Sequence, residues 1–172
     1  MAELEPLAAF VAAAVVSLAL TPLVGLLSVR VGAVAEPTER GMHEVPIPYL
    51  GGLAMLAAVL ITGFVFLGGD AEIRAVLYGA LVIVAVGVVD DAFDLHPALK
   101  LAGQVGAALI PALNGTLVTD ITLPLLGTVE FGAASVPLTV FGIVALMNVI
   151  NLIDGIDGLA AGICTIAAVA FA

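Results

Sequence analysis

IRAVLYGALVIVAVGVV, residues 73–89, runs directly into the acidic sequence Asp90-Asp91-Ala92-Phe93-Asp94. An apolar run of this length predicts a helix that crosses a lipid bilayer. Two adjacent carboxylates at its end repel each other and lie at the negative end of the helix dipole. Such an arrangement is costly unless a cation compensates the charge, so it predicts a cation site; the plainer alternative is a solvated loop that ends the helix.

Further apolar runs occur along the rest of the chain, at 6–29, 49–69, about 97–118, about 134–153 and 158–172. We therefore predict an all-α, multi-pass transmembrane helical bundle with five full helices and a truncated sixth. Residues 1–172 would form a single membrane domain. Because the last run is too short to span a bilayer comfortably, we expect the chain to be the N-terminal portion of a longer domain. The alternating segment 120–132 predicts a small exterior β-hairpin.

The composition excludes several classes of protein. The chain is 63% hydrophobic and only 10% charged, whereas a soluble domain has about 25% charged residues. The net charge of −10 argues against binding to nucleic acid, which needs a basic surface. With only four Lys and Arg residues, the protein would meet an anionic partner mainly through a metal ion or backbone N–H groups.

Counting the crossings divides the connections between helices into two groups. The connections on one side of the membrane would be 30–48, 90–96 and 154–157. The N-terminus and the connections 70–72 and 119–133 would lie on the other side. Arg30, Arg40 and Lys100 lie on the first side and only Arg74 on the second. Because positive residues concentrate on the cytoplasmic side, we expect the first side to be cytoplasmic and the N-terminus to be outside.

A second polar cluster ends the fifth apolar run. Asn148, Asn151 and Asp154 are three residues apart, so they would form one polar stripe on a helix, and Asp157 follows in two Asp-Gly steps. Intramembrane polar groups usually face a bundle interior or a watery cavity. The glycines would break the helix and free backbone N–H groups for an anionic ligand; hydrogen bonding between helices is the alternative for the two asparagines.

A third connection is stiffened by proline and carries basic groups. It runs from Glu36 to Gly52 and contains Arg40, His43 and the pair Gly51-Gly52. Arg40 or His43 could meet a phosphate, although a lone Arg or His is more often a surface group. Three connections on one membrane side would then each carry the ingredients of a site for phosphate and divalent metal.

Three motifs in this order resemble those of the polyprenyl-phosphate N-acetylhexosamine-1-phosphate transferase family. They read Arg40…His43…Pro46-x-Pro48-x-x-Gly51-Gly52, Gly87-x-x-Asp90-Asp91-x-x-Asp94…Lys100…Gln104, and Asn148-x-x-Asn151-x-x-Asp154-Gly-x-Asp157-Gly-Leu159-x-x-Gly162. The resemblance covers essentially the whole chain. It is closer to the UDP-N-acetylglucosamine branch than to the phospho-N-acetylmuramoyl-pentapeptide branch, whose Thr-Pro-Thr-Met-Gly-Gly reads Ile-Pro-Tyr-Leu-Gly-Gly here.

The resemblance implies a transfer of sugar-1-phosphate from a UDP-sugar to polyprenyl phosphate at the cytoplasmic membrane face, with release of UMP. It implies Mg²⁺ or Mn²⁺ as cofactor and leaves a homodimer open. The catalytic residues would be Asp90 and Asp91, and the metal ligands Asp91, Asp154 and Asp157. The remaining residues would bind the nucleotide sugar and the phosphates: Asn148, Asn151, Asp154, Asp157, Lys100, Arg40 and His43.

The sequence departs from the family at the first connection. The family usually has Arg-Lys-x-His there, and this chain has Arg40-Gly41-Met42-His43, so the donor contacts expected of the missing lysine are in doubt. The family's later cytoplasmic loops would lie beyond residue 172, so we expect the chain alone to be inactive. Two rival classes are an ion or solute transporter, which would need polar residues near the bilayer midplane, and a structural membrane module without catalysis.

Overall fold

The computed structural model describes residues 4–32, 34–35, 47–48, 50–124, 127–154 and 158–171. In these ranges the chain forms six α-helices and two small antiparallel ladders. The helices are α1 (Leu4–Val31), α2 (Gly51–Leu67), α3 (Ala71–Phe93), α4 (Pro97–Leu113), α5 (Ser135–Ile153) and α6 (Leu159–Phe171). The strands are β1 (Val34–Ala35), β2 (Ile47–Pro48), β3 (Asp120–Leu123) and β4 (Gly127–Glu130).

The helices have the lengths and surfaces of a membrane protein. Three segments are long and apolar enough to cross a bilayer, Leu7–Val31, Ala71–Phe93 and Gly132–Ile153, while α2, α4 and α6 are shorter apolar helices. Large apolar side chains point outward; Phe10 and Leu18, for example, are 71% and 75% exposed. Water would strongly disfavour so much exposed apolar surface, whereas lipid accepts it. The predicted class, a helical membrane protein with a small hairpin, is confirmed.

The chain packs as two compact units, Met1–Thr116 and Leu117–Ala172. In the first unit α2 packs against both α1 and α3, and α3 packs against α4. The buried residues of this unit are mostly small, with Ala54, Ala58 and Ala108 essentially inaccessible. Small residues let helix backbones approach closely, which is how membrane helices gain van der Waals contact without a hydrophobic driving force.

The backbones of α3 and α4 approach each other closely at Gly79. A Cβ atom at this position would lie 2.9 Å from the carbonyl oxygen of Ala107 and 3.2 Å from Cδ of Pro111. Pro111 has no N–H to donate to the carbonyl four residues earlier, so the helix itself leaves the Ala107 oxygen without its usual partner. The bare Gly79 backbone packs against that oxygen. The Gly–Pro combination therefore fixes how α3 and α4 pack.

Replacing Gly79 with Ala should destabilise the first unit by about 1–3 kcal/mol, because the new methyl group meets backbone rather than a movable side chain. Gly87→Ala is the matched control, since Gly87 lies on the same helix with open space at its Cβ position. That substitution should be neutral or stabilising by up to about 1 kcal/mol, the helix-propensity difference. Unfolding of both variants by titration with a denaturing detergent measures the difference; equal stabilities would contradict this packing.

The second unit contains the predicted hairpin. β3 and β4 pair antiparallel with Asp120 opposite Glu130 and Leu123 opposite Gly127, and the Thr122 and Thr128 hydroxyl oxygens are 3.0 Å apart. The backbone N–H of Val118 donates to Oγ1 of Thr139 on α5 at 2.8 Å. The hairpin prediction is confirmed, and its strands lie largely in solvent.

Two features differ from the sequence-based expectation. The fourth apolar run ends as a helix at Leu113 rather than near Val118, because Asn114 and Thr116 both donate backbone N–H groups to the Pro111 carbonyl and Gly115 has φ +108°. The β1–β2 ladder was not predicted. It lies beside a hydrogen bond of 3.1 Å from the Leu50 N–H to Oγ of Ser28, a fully buried hydroxyl of α1.

Candidate active site

Asp90 and Asp91 lie in the last turn of α3, which continues past the apolar run and ends at Phe93. Asp94 caps the helix in the left-handed conformation, with φ 49° and ψ 68°, and its N–H donates to the Asp90 carbonyl at 2.8 Å. A further helical turn would have placed Asp90 and Asp94 on one face. The helix does not extend that far, because the left-handed residue turns the chain away toward α4.

The connection to α4 consists of Asp94, Leu95 and His96, and His96 is the N-cap of α4. Nδ1 of the imidazole accepts a hydrogen bond from the Ala98 N–H at 3.3 Å. Pro97 occupies the first helical position, where its fixed φ favours the helix. An N–H group at this position would have no partner within the helix, so its absence in proline costs nothing. Both helix ends at this turn are therefore closed by local hydrogen bonds.

This short turn brings Lys100 against Asp90. Nζ of Lys100 lies 2.7 Å from Oδ2 of Asp90, with the Asp90 side chain 18% exposed and the Lys100 side chain 32% exposed. The sequence predicted only that Lys100 would help to bind the phosphates. The structure assigns it a definite partner, with geometry typical of a charge-assisted hydrogen bond.

The two charges occupy positions that a helix dipole disfavours. Asp90 is a carboxylate at the negative C-terminal end of α3, and Lys100 is a cation near the positive N-terminal end of α4. Each would be destabilised alone by a few tenths of a kcal/mol to about 1 kcal/mol. Pairing compensates both charges. Because helix stability favours neither residue at its position, the pair points to a function at this turn.

Asp91 has a different environment from that of its neighbour. Its side chain is exposed, and the described residues offer it no hydrogen bond or ion pair; the paired Asp90 and Lys100 lie beside it. The site therefore presents one engaged carboxylate and one available carboxylate at the end of a membrane helix. An available carboxylate here can accept a proton or bind a cation.

The donor set at this turn suits a divalent cation only in part. Mg²⁺ binds proteins through one or two carboxylates and completes its octahedral shell with water and substrate phosphates. Asp91 supplies that minimum, while Asp90 is engaged by Lys100. Among the residues that the structure describes, no group of three or more His, Cys, Asp or Glu side chains converges to hold a metal. The residues thus fit a Mg²⁺ ion that is shared with a phosphate ligand rather than a fully protein-built metal site.

The second polar cluster belongs to the other unit. Asn148 and Asn151 lie on α5, and Asp154 follows as its C-cap with its N–H bonded to the Ile150 carbonyl at 3.0 Å. The predicted polar stripe therefore exists. The side-chain amide of Asn148 donates to the Val144 carbonyl at 2.8 Å, while Asn151 and Asp154 are exposed. Gly158 has φ +75°, which fits the predicted break between α5 and α6.

Three of the predicted site residues fall outside the described residues: Arg40, His43 and Asp157. Their assigned roles stay predictions, as do the catalytic, binding and metal-ligating roles of all the other predicted site residues. No role was predicted for His96, which follows the acidic residues at the end of α3. The signal that could have found it is its place directly before Pro97, because proline favours the first position of a helix and so marks the preceding residue as the N-cap.

Comparisons with known proteins agree on one family. The profile of glycosyl transferase family 4 matches residues 73–172. The chain is 37% identical over 161 residues to a Bacillus subtilis protein named "Probable undecaprenyl-phosphate N-acetylglucosaminyl 1-phosphate transferase", covering 92% of this chain and 45% of that protein. It is 39% identical over 173 residues to "Decaprenyl-phosphate N-acetylglucosaminephosphotransferase" of Mycobacterium leprae, covering 92% of this chain and 43% of that protein.

A relative from another branch matches less of the chain. "Phospho-N-acetylmuramoyl-pentapeptide-transferase" of Chloroherpeton thalassium is 33% identical over 146 residues, covering 74% of this chain and 39% of that protein. The chain thus spans less than half the length of these curated relatives. No solved structure is significantly similar to it.

Proposed function

The chain belongs to glycosyl transferase family 4, and from this premise we propose that the protein carrying it transfers N-acetylglucosamine-1-phosphate from a UDP-sugar to polyprenyl phosphate. UMP is the second product. The names of the relatives at 37% and 39% identity support the sugar and the lipid phosphate. The proposed reaction takes place at the cytoplasmic membrane face, with the N-terminus outside, as the distribution of Lys and Arg predicts.

The observation that carries the proposal is the pair of unlike carboxylates at the end of α3. Asp90 is held by Lys100 at 2.7 Å, so its charge is already compensated. Asp91 is exposed next to it. We assign Asp91 as the group that accepts the proton of the lipid phosphate, or keeps that phosphate ionised for attack. Asp90 then acts mainly by holding Lys100 in place.

Lys100 contributes positive charge where two anionic substrates meet. The Lys100 side chain is 32% exposed while its Nζ contacts Asp90, so it can contact a phosphate without leaving its partner. When bound, Mg²⁺ or Mn²⁺ would supply the larger share of charge neutralisation on the diphosphate, with Asp91 as one ligand. Transfer of this kind depends mainly on positioning and charge compensation.

The roles of the residues in the second unit rest on the family motif. Asn148, Asn151, Asp154 and Asp157 are proposed to serve the nucleotide and the metal. The exposed carboxylate of Asp154 is compatible with such a role. The same holds for Arg40 and His43 on the first connection, which are proposed to meet the donor phosphates.

The proposal is tested by supplying membranes that contain the whole protein with tritiated UDP-N-acetylglucosamine and polyprenyl phosphate. We expect label in the lipid extract with that donor and far less with UDP-N-acetylmuramoyl-pentapeptide. The reverse preference would place the protein in the other branch, and no transfer from either donor would refute the proposal. The 172-residue chain alone should transfer nothing, because it spans less than half of its relatives; activity of the chain alone would refute that expectation.

A further inference from the structure

We propose that His96 is a positioning residue for this reaction: its neutral imidazole caps α4 and thereby holds Lys100 against Asp90. The inference rests on the proposed function. His96 lies in the three-residue turn between α3 and α4, and the family motif quoted above contains no residue at its position.

The capping bond fixes the state of the imidazole ring. Nδ1 of His96 accepts the N–H of Ala98 at 3.3 Å, which requires a lone pair on Nδ1. A neutral imidazole has one protonated and one unprotonated ring nitrogen. The proton of the capping tautomer therefore sits on Nε2, and a ring protonated on both nitrogens loses the cap.

Every backbone donor in the first turn of α4 depends on His96. Pro97 has no N–H, and the N–H groups of Leu99 and Lys100 reach the His96 carbonyl at 2.8 Å and 3.2 Å. Only the Ala98 N–H remains, and it goes to the imidazole. Unsatisfied N–H groups at a helix start weaken the first turn, so removal of the imidazole would loosen the turn that contains Lys100.

The first turn of α4 is also tied to the end of α3. The Asp94 N–H holds the Asp90 carbonyl at 2.8 Å, and the Asp90 carboxylate holds the Lys100 ammonium at 2.7 Å. Together with the hydrogen bond from the Ala98 N–H to His96, these contacts connect the end of α3 to the start of α4. Among these contacts, the one made by the His96 side chain involves only the backbone of α4. Its loss should misplace Lys100 without removing any charge from the site.

The kinetic test compares His96→Ala with His96→Ser in the whole protein. Alanine cannot cap, so kcat should fall about fivefold, which corresponds to about 1 kcal/mol, the usual worth of an N-cap. KM for the UDP-sugar should change less than twofold. Serine is a strong N-cap, so His96→Ser should restore kcat to within twofold of wild type.

A role in packing or in direct contact with substrate predicts a different pattern, because serine cannot replace the bulk or the Nε2–H of an imidazole. Unchanged kcat in His96→Ala, or no recovery in His96→Ser, would therefore overturn the inference. A wild-type protein without transfer activity would instead refute the proposed function. The tautomer of His96, in contrast, can be measured without any transfer activity.

Nitrogen NMR of protein labelled with ¹⁵N-histidine reads the tautomer directly. The chain has two histidines, and a His43→Asn variant leaves His96 as the only one from this chain. We expect an unprotonated Nδ1 and a protonated Nε2 for His96, as the hydrogen bond from the Ala98 N–H requires. A protonated Nδ1 would overturn the cap, whatever the kinetic result, and this measurement needs no substitution at His96.

Discussion

Replacing Asp91 with Asn lowers sugar-phosphate transfer by about 100-fold or more, the range expected when a positioned general base is lost. The amide keeps the shape of the side chain but neither accepts a proton nor attracts a cation. The Asp91 side chain is exposed and has no partner in the described part of the chain. Folding should therefore be little affected, and the loss should appear in kcat.

Asp120→Asn is the matched control, since it makes the same chemical change on the exterior hairpin. Asp120 accepts the Thr119 hydroxyl at 3.0 Å through Oδ1, a bond that the asparagine oxygen can also accept. Transfer by this variant should stay within twofold of wild type. If Asp91→Asn remained as active as Asp120→Asn, the catalytic assignment of Asp91 would be wrong.

Chelation of divalent cations should lower transfer by about 100-fold or more, because a catalytic metal ion contributes several kcal/mol of charge stabilisation. At this turn only Asp90 and Asp91 provide adjacent carboxylates, and Lys100 already engages one of them. Among the described residues of this turn the basic side chain is Lys100, and because Asp90 already engages it, the turn by itself compensates little of the charge on two phosphate substrates. Rates measured in EDTA, and again after addition of Mg²⁺ or Mn²⁺, test this dependence.

Recovery on adding either ion completes the expected result. A rate in EDTA equal to that in Mg²⁺ would show that Lys100 and the backbone suffice, and would remove Asp91 from the role of metal ligand. The two predictions are separable, since Asp91→Asn could lose its proton-accepting role while the wild-type protein works without metal.

The helices could be predicted from the sequence because long apolar runs have few alternatives in a bilayer. Their ends could not. The fourth run was predicted to continue to about Val118, yet α4 ends at Leu113 because the backbone N–H groups of Asn114 and Thr116 donate to the Pro111 carbonyl. Apolar character indicates where a helix is tolerated, while caps and prolines decide where it ends.

The candidate site was predictable in its residue types but not in its pairing. The motif places Asp90, Asp91 and Lys100 near one another in sequence, but which carboxylate Lys100 contacts depends on the folded turn, where its Nζ lies 2.7 Å from Oδ2 of Asp90. His96 was not predicted to cap α4 because Ser, Thr, Asp and Asn are the usual N-caps. The Gly79–Ala107 approach depends on the packing of two helices, which no local pattern reveals.

The central claim is that the phosphate next to the sugar moves with the sugar to the lipid. UDP-N-acetylglucosamine labelled with ³²P in its β-phosphate tests this most directly in membranes that contain the whole protein and polyprenyl phosphate. We predict that the ³²P enters the lipid extract in equal amount to the sugar, while unlabelled UMP remains in the aqueous phase. Sugar in the lipid with all ³²P left behind in UDP would contradict the account.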